Sequence, residues 1–592
     1  LKAVLLLWCF QAVLCGVIDY VNPFIGSGGE GYGTGTLPPG VQVPFGLVRL
    51  SPDTSANDNV LVPGWSHYGG YHYHDDNIRT FTHTHTVGAG VADFGNIGVM
   101  VMNRRPEALD VQNCNYYSKF SHDNETSKPG YYSVHLDTPS VQAELTSTHH
   151  VGVHRYTFLD PEKEAFVLID ASVALEGGGC KDSFVEVDVR NQEVRGWMLN
   201  LGSLSGHFGG VRIYFVAKFD RRFVTFGTWN HLEVLPLASA NGTHVGAFIH
   251  FDISEDNDVE LFVGISLISI EQARTNMKAE TQGKNFDAVK KETQAIWESA
   301  LSVIQVKADI TSTYYQDQIV KLYSAFYRTL MSPTAYTEQG GWYTGFDQKI
   351  HNVNETSDGP NHFYCDMSIW DTFRTQYPWL VLMRPTEMLD MIKSLLLDYQ
   401  VAGFLPKWPL AFGETDCMIG THADVMITDA YFKGIQGFDL KLAYEGMYKG
   451  ATQSQPHAGR TDIDHWINLG YVTSEASNRA TSETLEYAYD DWCVARIAQV
   501  LGENSDAVTF FNRSKNYKNV WNQQHQIFCP RSSTDEWNCP EVWDNVFDER
   551  YVEGDAWHWR WFVPHDVPGL IDLFGSEENF LEELTFFFDM SE

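Results

Sequence analysis

Positive charge is what this sequence has least of. Its 592 residues carry 41 Lys and Arg against 76 Asp and Glu, a formal net charge of −35. That balance argues against nucleic acid, since displacing the counterions of a phosphate backbone takes clustered Lys and Arg. It also disfavours a polybasic membrane contact. Beyond the first sixteen residues no run reaches about 18 uninterrupted apolar residues, so nothing reads as a membrane-spanning helix and the mature protein is expected to be soluble. CxxC and HExxH are absent, and a zinc site is not expected. Neither GxxxxGK[ST] nor a strand-to-helix GxGxxG occurs, which rejects nucleotide binding. There is no short repeat and no low-complexity tract.

What is present is a chain able to bury large cores, 43% hydrophobic and 14% aromatic. At about 150 residues per domain its length allows up to four domains, or two to three if sandwiches or barrels occur. Its 17 Trp, 28 Tyr and 36 Phe mostly fill cores, and the remainder suits stacking on sugar faces. Residues 1–16, LKAVLLLWCFQAVLCG, resemble a secretory signal peptide: one Lys, an apolar run too short to span a bilayer, then small residues. The missing starting Met suggests that the chain begins within a longer one. Sequons at Asn124, Asn241, Asn354 and Asn512 agree with secretion. Without Cys9 and Cys15 seven cysteines remain, an odd number. Cys529 and Cys539 can bridge locally, but spacing does not fix connectivity.

The texture changes along the chain. Up to Glu271, short runs such as Val211–Ala217, Gly246–Phe251 and Val259–Val263 lie between turn-rich stretches, as strands of an antiparallel sandwich do. From Gln272 to Thr334 the pattern is helical, with Ile319, Leu322, Phe326 and Leu330 on one face. Later helices alternate with Gly- and Pro-containing loops. The helix expected over 482–501 is apolar on much of its circumference and therefore buried. Its Glu483, Glu486 and Asp490 share a face, as either a solvated acidic stripe or the lining of a polar pocket.

Candidate chemistry is concentrated in a few segments. His83 and His85 alternate with Thr and point to one face of a strand; without a third ligand nearby they suit hydrogen bonding better than metal binding. In the helical half, polar groups sit among aromatics in Ser368–Thr375, Cys417–Asp424 and Tyr551–Asp566. Asp371 and Arg374 are spaced either for a helical salt bridge or for a carboxylate offered to sugar hydroxyls. Glu553 lies between Tyr551 and Trp557, and an apolar wall beside a carboxyl raises its pKa, as a general acid requires. Asp566, after Pro564-His565, suits a helix N-cap.

Together these segments resemble glycoside hydrolase family 92, the calcium-dependent inverting exo-α-mannosidases. The resemblance is carried by Val21-Asn-Pro-Phe-Ile-Gly, by Val43-Pro-Phe-Gly-Leu-Val-Arg-Leu-Ser-Pro-Asp-Thr, and by Gly70-Tyr-His-Tyr and Phe81-Thr-His-Thr-His. It continues through Ile369-Trp-Asp-Thr-Phe-Arg-Thr, Leu405-Pro-Lys-Trp, Thr484-Leu-Glu-Tyr-Ala-Tyr-Asp-Asp-Trp, Glu553-Gly-Asp-Ala-Trp and Val563-Pro-His-Asp-Val. The family's fold implies a multidomain α+β protein: a signal peptide at 1–16, an antiparallel β-sandwich over 17–271, a helical linker over 272–305, and an (α/α)6 barrel over 306–592, incomplete at its C-terminus.

By motif, Glu553 resembles the family's general acid, and Asp371 the aspartate that holds hydroxyls of the terminal mannose. Arg374, Trp370 and Trp65 complete the expected sugar-binding set. Where the family has Glu-Gly-Asn-Ala-Trp-Gln-Tyr this sequence has Glu553-Gly-Asp-Ala-Trp-His-Trp, so Asp555 and His558 are expected to alter the acid's electrostatics. The family's later segments, one supplying calcium contacts and one activating water, have no counterpart before Glu592. The chain is therefore expected to be a C-terminal truncation, with its Ca2+ contacts beyond the last residue. The resemblance implies a secreted or lysosomal enzyme that removes terminal α-mannose from N-glycans in a pocket between the two modules, on an oligosaccharide or glycoprotein partner. Two alternatives stand beside it: an amidase releasing whole N-glycans, and a non-catalytic glycan-binding protein.

Overall fold

The computed structural model describes residues 16–29, 34–56, 67–88, 90–112, 115–175, 179–231, 233–307, 312–355, 359–541 and 547–589. Trp65 and nearly all of the expected signal peptide lie outside these residues. The chain divides into two compact units. The first comprises residues up to Gly206 together with Gly210–Thr334, and the second His207–Gly209 with Ala335–Glu592.

Among the described residues the first unit is built on two antiparallel sheets. One has eight strands, in the order Ser51–Ser55, Asn77–Thr82, Gly98–Met102, Ala165–Asp170, Val245–Phe251, Thr225–Asn230 and Glu233–Leu235, with Ser118–Lys119 paired to the second of these. The other has nine: Ser239–Gly242, Cys180–Asp188, Glu193–Asn200, Val211–Phe219, Asp258–Ser266, Val151–Phe158, Val141–Ser147, Tyr131–Leu136 and Glu125–Lys128. Strict alternation of buried and half-buried residues in Tyr131–Leu136 marks a sheet with one face packed inward. Ala165–Asp170 is buried at every position, as a strand covered on both faces must be. The sheets meet through side chains such as Phe219 and Phe251, with ring centroids 4.9 Å apart.

Helices Ile270–Thr281, Phe286–Leu301 and Thr313–Thr329 belong to the same unit. Ser269 and Asn285 cap the first two, each accepting a bond from a backbone N–H of the first turn. Phe286, Val289, Thr293, Trp297 and Ala300 recur at spacings of three and four and are the buried stripe of the second. In the third, Ile319 and Phe326 are buried with the following Leu330, whereas Leu322 is 38% exposed. Leu322 stands one position before the buried Tyr323, which takes the inward direction in that turn.

Among the described residues the second unit is mainly helical, with short two-stranded ribbons. Its central element is Ala480–Leu501, flanked by Ala423–Phe432, Leu440–Thr452 and Asn504–Arg513. Gly502, at φ 81°, ends it in the left-handed conformation that glycine adopts without a Cβ clash. Leu485, Tyr487, Ala488 and Trp466 pack with the Trp521, Phe528 and Tyr551 side chains in the core beside it. The solvated-stripe reading of this helix is overturned: Glu483 is 5% exposed, and Glu486 and Asp490 are completely buried. Cys529 and Cys539 form a disulfide.

Candidate active site

Glu553 sits in a loop pinned on both sides. Val552 N–H donates to Ser482 Oγ at 3.1 Å, Trp559 Nε1 donates to the Val552 carbonyl at 2.9 Å, and Tyr551 OH reaches the Phe528 carbonyl at 2.7 Å. Asp555 then caps the short helix Ala556–Trp559, its carboxylate 2.7 Å from His558 Nδ1. Between these anchors Glu553 has φ 46°. A non-glycine residue there carries about 1–3 kcal/mol of strain, which persists only where the surroundings fix it. The loop thus pushes this carboxyl outward, and Glu553 is exposed while its flanking residues are buried.

The Glu553 carboxyl is raised above its ordinary value. Partial desolvation is the main cause and the Asp371 carboxylate the second; Arg479 and Arg374 pull in the other direction. The charges acting on the acid are therefore these three. Asp555 and His558, expected to tune it, are instead engaged with each other in the helix cap.

Asp371 lies on the helical turn Ile369–Thr372 and is exposed. Its Oδ2 accepts a close hydrogen bond from Ser368 Oγ, and its Oδ1 accepts none among the described residues. Arg374 extends over three aromatic rings, 4.7 Å from the centroids of Trp370 and Phe373 and 5.2 Å from that of Phe562. Such stacking holds a guanidinium flat and in place. Cys417 joins the group: burial raises its thiol most, and Lys407, Asp371 and Glu553 all act on it.

Beneath this surface lies a buried set of charges that motif reasoning did not assign. Glu486 Oε1 accepts from Trp370 Nε1 at 2.7 Å and lies 3.5 Å from Arg374 Nη2. Its Oε2 is 3.0 Å from His422 Nε2, and His422 Nδ1 is 2.9 Å from Asp490. Burial alone would keep the imidazole neutral, but Asp490 and Glu486 outweigh it and raise His422 to about 10. The ring is thus a buried imidazolium at neutral pH, stacked 4.3 Å from Phe373. Asp490 also accepts from Thr421 N–H at 2.8 Å. Burial works against its ionisation, and the His422 and Arg460 charges reverse this to hold it below the ordinary range. Arg460 in turn is 2.6 Å from Asp491, which Arg513 also holds at 2.7 Å.

The structure thus brings Trp370, Asp371 and Arg374 together with Glu553. Glu486, His422 and Asp490 are the members not assigned from sequence. Two signals pointed to them: the shared face of Glu486 and Asp490, and the polar Cys417–Asp424 segment. Asp566 caps Val567–Leu573 by accepting from Gly569 N–H at 3.1 Å. His85 bonds Asp53 at 2.8 Å, and His83 bonds the Ile97 carbonyl at 2.6 Å, so both serve the fold of the first unit. Among the described residues no three His, Cys, Asp or Glu are grouped to hold a metal ion.

An aromatic-walled surface bearing a raised carboxyl, in a chain of two antiparallel sheets followed by helices, has the make-up of a carbohydrate-active hydrolase. The comparisons agree. Residues 20–266 match the glycosyl hydrolase family 92 N-terminal domain, and residues 272–592 match the glycosyl hydrolase family 92 catalytic domain. The chain belongs to this family and is a glycoside hydrolase. A solved α-mannosidase of the family from Bacteroides thetaiotaomicron is 28% identical, with 96% of this chain and 74% of that one covered at a TM-score of 0.85. An inverting mannosidase from the same organism is 27% identical over 96% of this chain and 74% of its own, at a TM-score of 0.84. An uncharacterized secreted glycosidase of Arthroderma benhamiae is 24% identical over 97% of this chain and 74% of its own length. No helix among the described residues is long and apolar enough to cross a membrane.

Proposed function

We propose that this chain is a secreted, exo-acting α-mannosidase that removes terminal α-mannose from N-glycans with inversion, Glu553 acting as the general acid. The observation that carries the reading is the raised Glu553 carboxyl, pushed outward from a pinned loop beside Asp371 and the Arg374–Trp370 platform. The mannosidases among the solved relatives, one of them inverting and another also known with mannoimidazole bound, support the substrate class and the stereochemistry. The secreted fungal relative and the signal-like N-terminus support the destination. The mainly helical make-up of the second unit agrees with the (α/α)6 reading.

In this mechanism the terminal pyranose lies against the aromatic surface, and the open oxygen of Asp371 accepts bonds from its hydroxyls. Arg374, held flat by its three rings, offers N–H donors to the same sugar. Glu553 enters protonated because desolvation and the Asp371 charge disfavour its anion. It gives that proton to the glycosidic oxygen as the bond to the anomeric carbon breaks, and water adding from the opposite ring face inverts the centre. The test is Glu553→Gln, which keeps the shape and removes the proton. Turnover of an unactivated mannoside should fall by about 10²- to 10⁴-fold while mannoimidazole binding is retained. Near-normal turnover would refute the assignment. Release of intact glycan with Asn converted to Asp would point to the amidase instead.

A further inference from the structure

We propose that Asn241 carries an N-linked glycan whose inner sugars lie on an aromatic row crossing the outer face of the nine-stranded sheet, with Phe184 as the first platform. The proposal rests on the secretory reading of the chain.

Strand register brings these residues together. Asn241 pairs directly with Phe184, Phe184 with Trp197, and Trp197 with Tyr214, across four neighbouring strands. Directly opposed residues of antiparallel strands point to the same face. Residues of the intervening register, Ala240, Val185 and Phe215, are buried on the inner face. The other set therefore faces outward: Asn241 is exposed, and Phe184, Trp197 and Tyr214 are each half-buried. Beyond Tyr214 the outer face is covered by helix Ile270–Thr281, where Ala273 and Met277 pack on Val216. The row is thus an apolar strip that ends at a glycosylation triplet, Asn241-Gly-Thr.

Further features suit this triplet to modification. The Asn241 carboxamide makes no hydrogen bond among the described residues; only its backbone carbonyl is held, by Asn230 Nδ2 at 3.0 Å. Ser239–Gly242 is the edge strand of its sheet, and an exposed edge invites pairing with another chain. A glycan there would block that pairing. At Asn512, by contrast, Arg513 of the triplet is 2.7 Å from Asp491 and Ser514 is buried. Arg212 lies 4.3 Å over one face of Trp197, so the sugars meet Phe184 and the Trp197 edge, with the guanidinium as a donor to their hydroxyls.

The covalent step draws on a lipid-pyrophosphate-linked oligosaccharide of the secretory pathway. Asn241 Nδ2 attacks C1 of the reducing-end sugar and the N–C1 bond forms. The C1–O bond to pyrophosphate breaks, the lipid pyrophosphate leaves with the electron pair, and Nδ2 loses one proton. Stacking of the first sugar on Phe184 then follows from the register.

The experiment uses the full chain secreted from a eukaryotic host. Peptide mapping should find glycan on Asn241. Asn241→Gln and, separately, Thr243→Ala should lower the melting temperature of the first unit by about 2 °C. Phe184→Thr, which keeps a strand-forming residue, should remove the same increment from the glycosylated chain. Combining Phe184→Thr with Asn241→Gln should cost no more than either change alone, since the two act through one contact. A bare Asn241 in a chain glycosylated at other triplets overturns the proposal and leaves the secretory reading intact. Additive effects of the two substitutions overturn the stacking. Glycan at none of the four triplets removes both the proposal and its premise.

Discussion

Beyond partial desolvation, three charged neighbours of known sign act on the protonation of Glu553. Asp371 opposes its ionisation, and Arg479 and Arg374 favour it. An acid must be protonated to act, so activity falls as pH rises through its pKa, and that pKa locates the alkaline limb of the rate profile. Arg479→Gln removes a favouring cation without touching the aromatic platform. It should move the alkaline limb of kcat/KM to higher pH, read from rates on an unactivated mannoside across the pH range. A limb that stays still or moves down would place Arg479 outside the field of the acid. How legible these residues were differs case by case. Glu553, Asp371, Trp370 and Arg374 stand in local motifs, and the family resemblance carried by those motifs is what picked them out. Arg479 and Cys417 were not legible as neighbours of the acid, because their proximity is produced by chain segments meeting in space.

The helix Ala480–Leu501 shows the same contrast over six turns. Its apolar circumference correctly implied burial, and the spacing of Glu483, Glu486 and Asp490 correctly put them on one face. What sequence could not decide was whether that face met water, because the deciding partner, His422, stands at the start of another helix. The cation turns an acidic stripe into a buried ion-pair set: Glu486 holds Trp370 and Arg374 from below, and Asp490 holds Thr421. Breaking a buried pair by removing one partner leaves the other charge uncompensated, at a cost of about 3–5 kcal/mol. Glu486→Ala should therefore destabilise the second unit by that order in denaturant unfolding. It should also raise KM, since the sugar platform loses its support. Glu486→Gln, which keeps the bond to Trp370, should recover part of the KM loss. A Glu486→Ala protein of unchanged stability would mean that the imidazole is neutral.

At the scale of the whole molecule each unit buries histidine under an opposite acid–base demand. In the first, His83 and His154 lie with Nε2 atoms 3.1 Å apart in the core, His154 Nδ1 bonded to Tyr156 OH at 2.9 Å. Burial keeps both neutral, lowering His83 to about 4 and His154 well below its ordinary value. A group whose folded pKa is depressed binds protons more readily when unfolded, so this unit loses stability as pH falls from about 6.5 towards 4. In the second, His422 is raised to about 10, and burial raises the carboxyls of Asp398, Asp424, Glu414 and Glu483. Groups raised in the folded state give stability that is complete below their unfolded pKa and is lost as pH rises through the folded one. Acid should therefore loosen the residues up to Thr334 first, and alkali those after it. Limited proteolysis at pH 5 and pH 9, with the first cleavage sites mapped, reads this directly. Early cuts before Thr334 at pH 5 and after Ala335 at pH 9 are expected. His154→Phe, which removes one of the two buried imidazoles, should reduce the acid-side cuts and leave the alkaline ones. The same first cuts at both pH values would show that these buried groups do not set the pH limits of the fold.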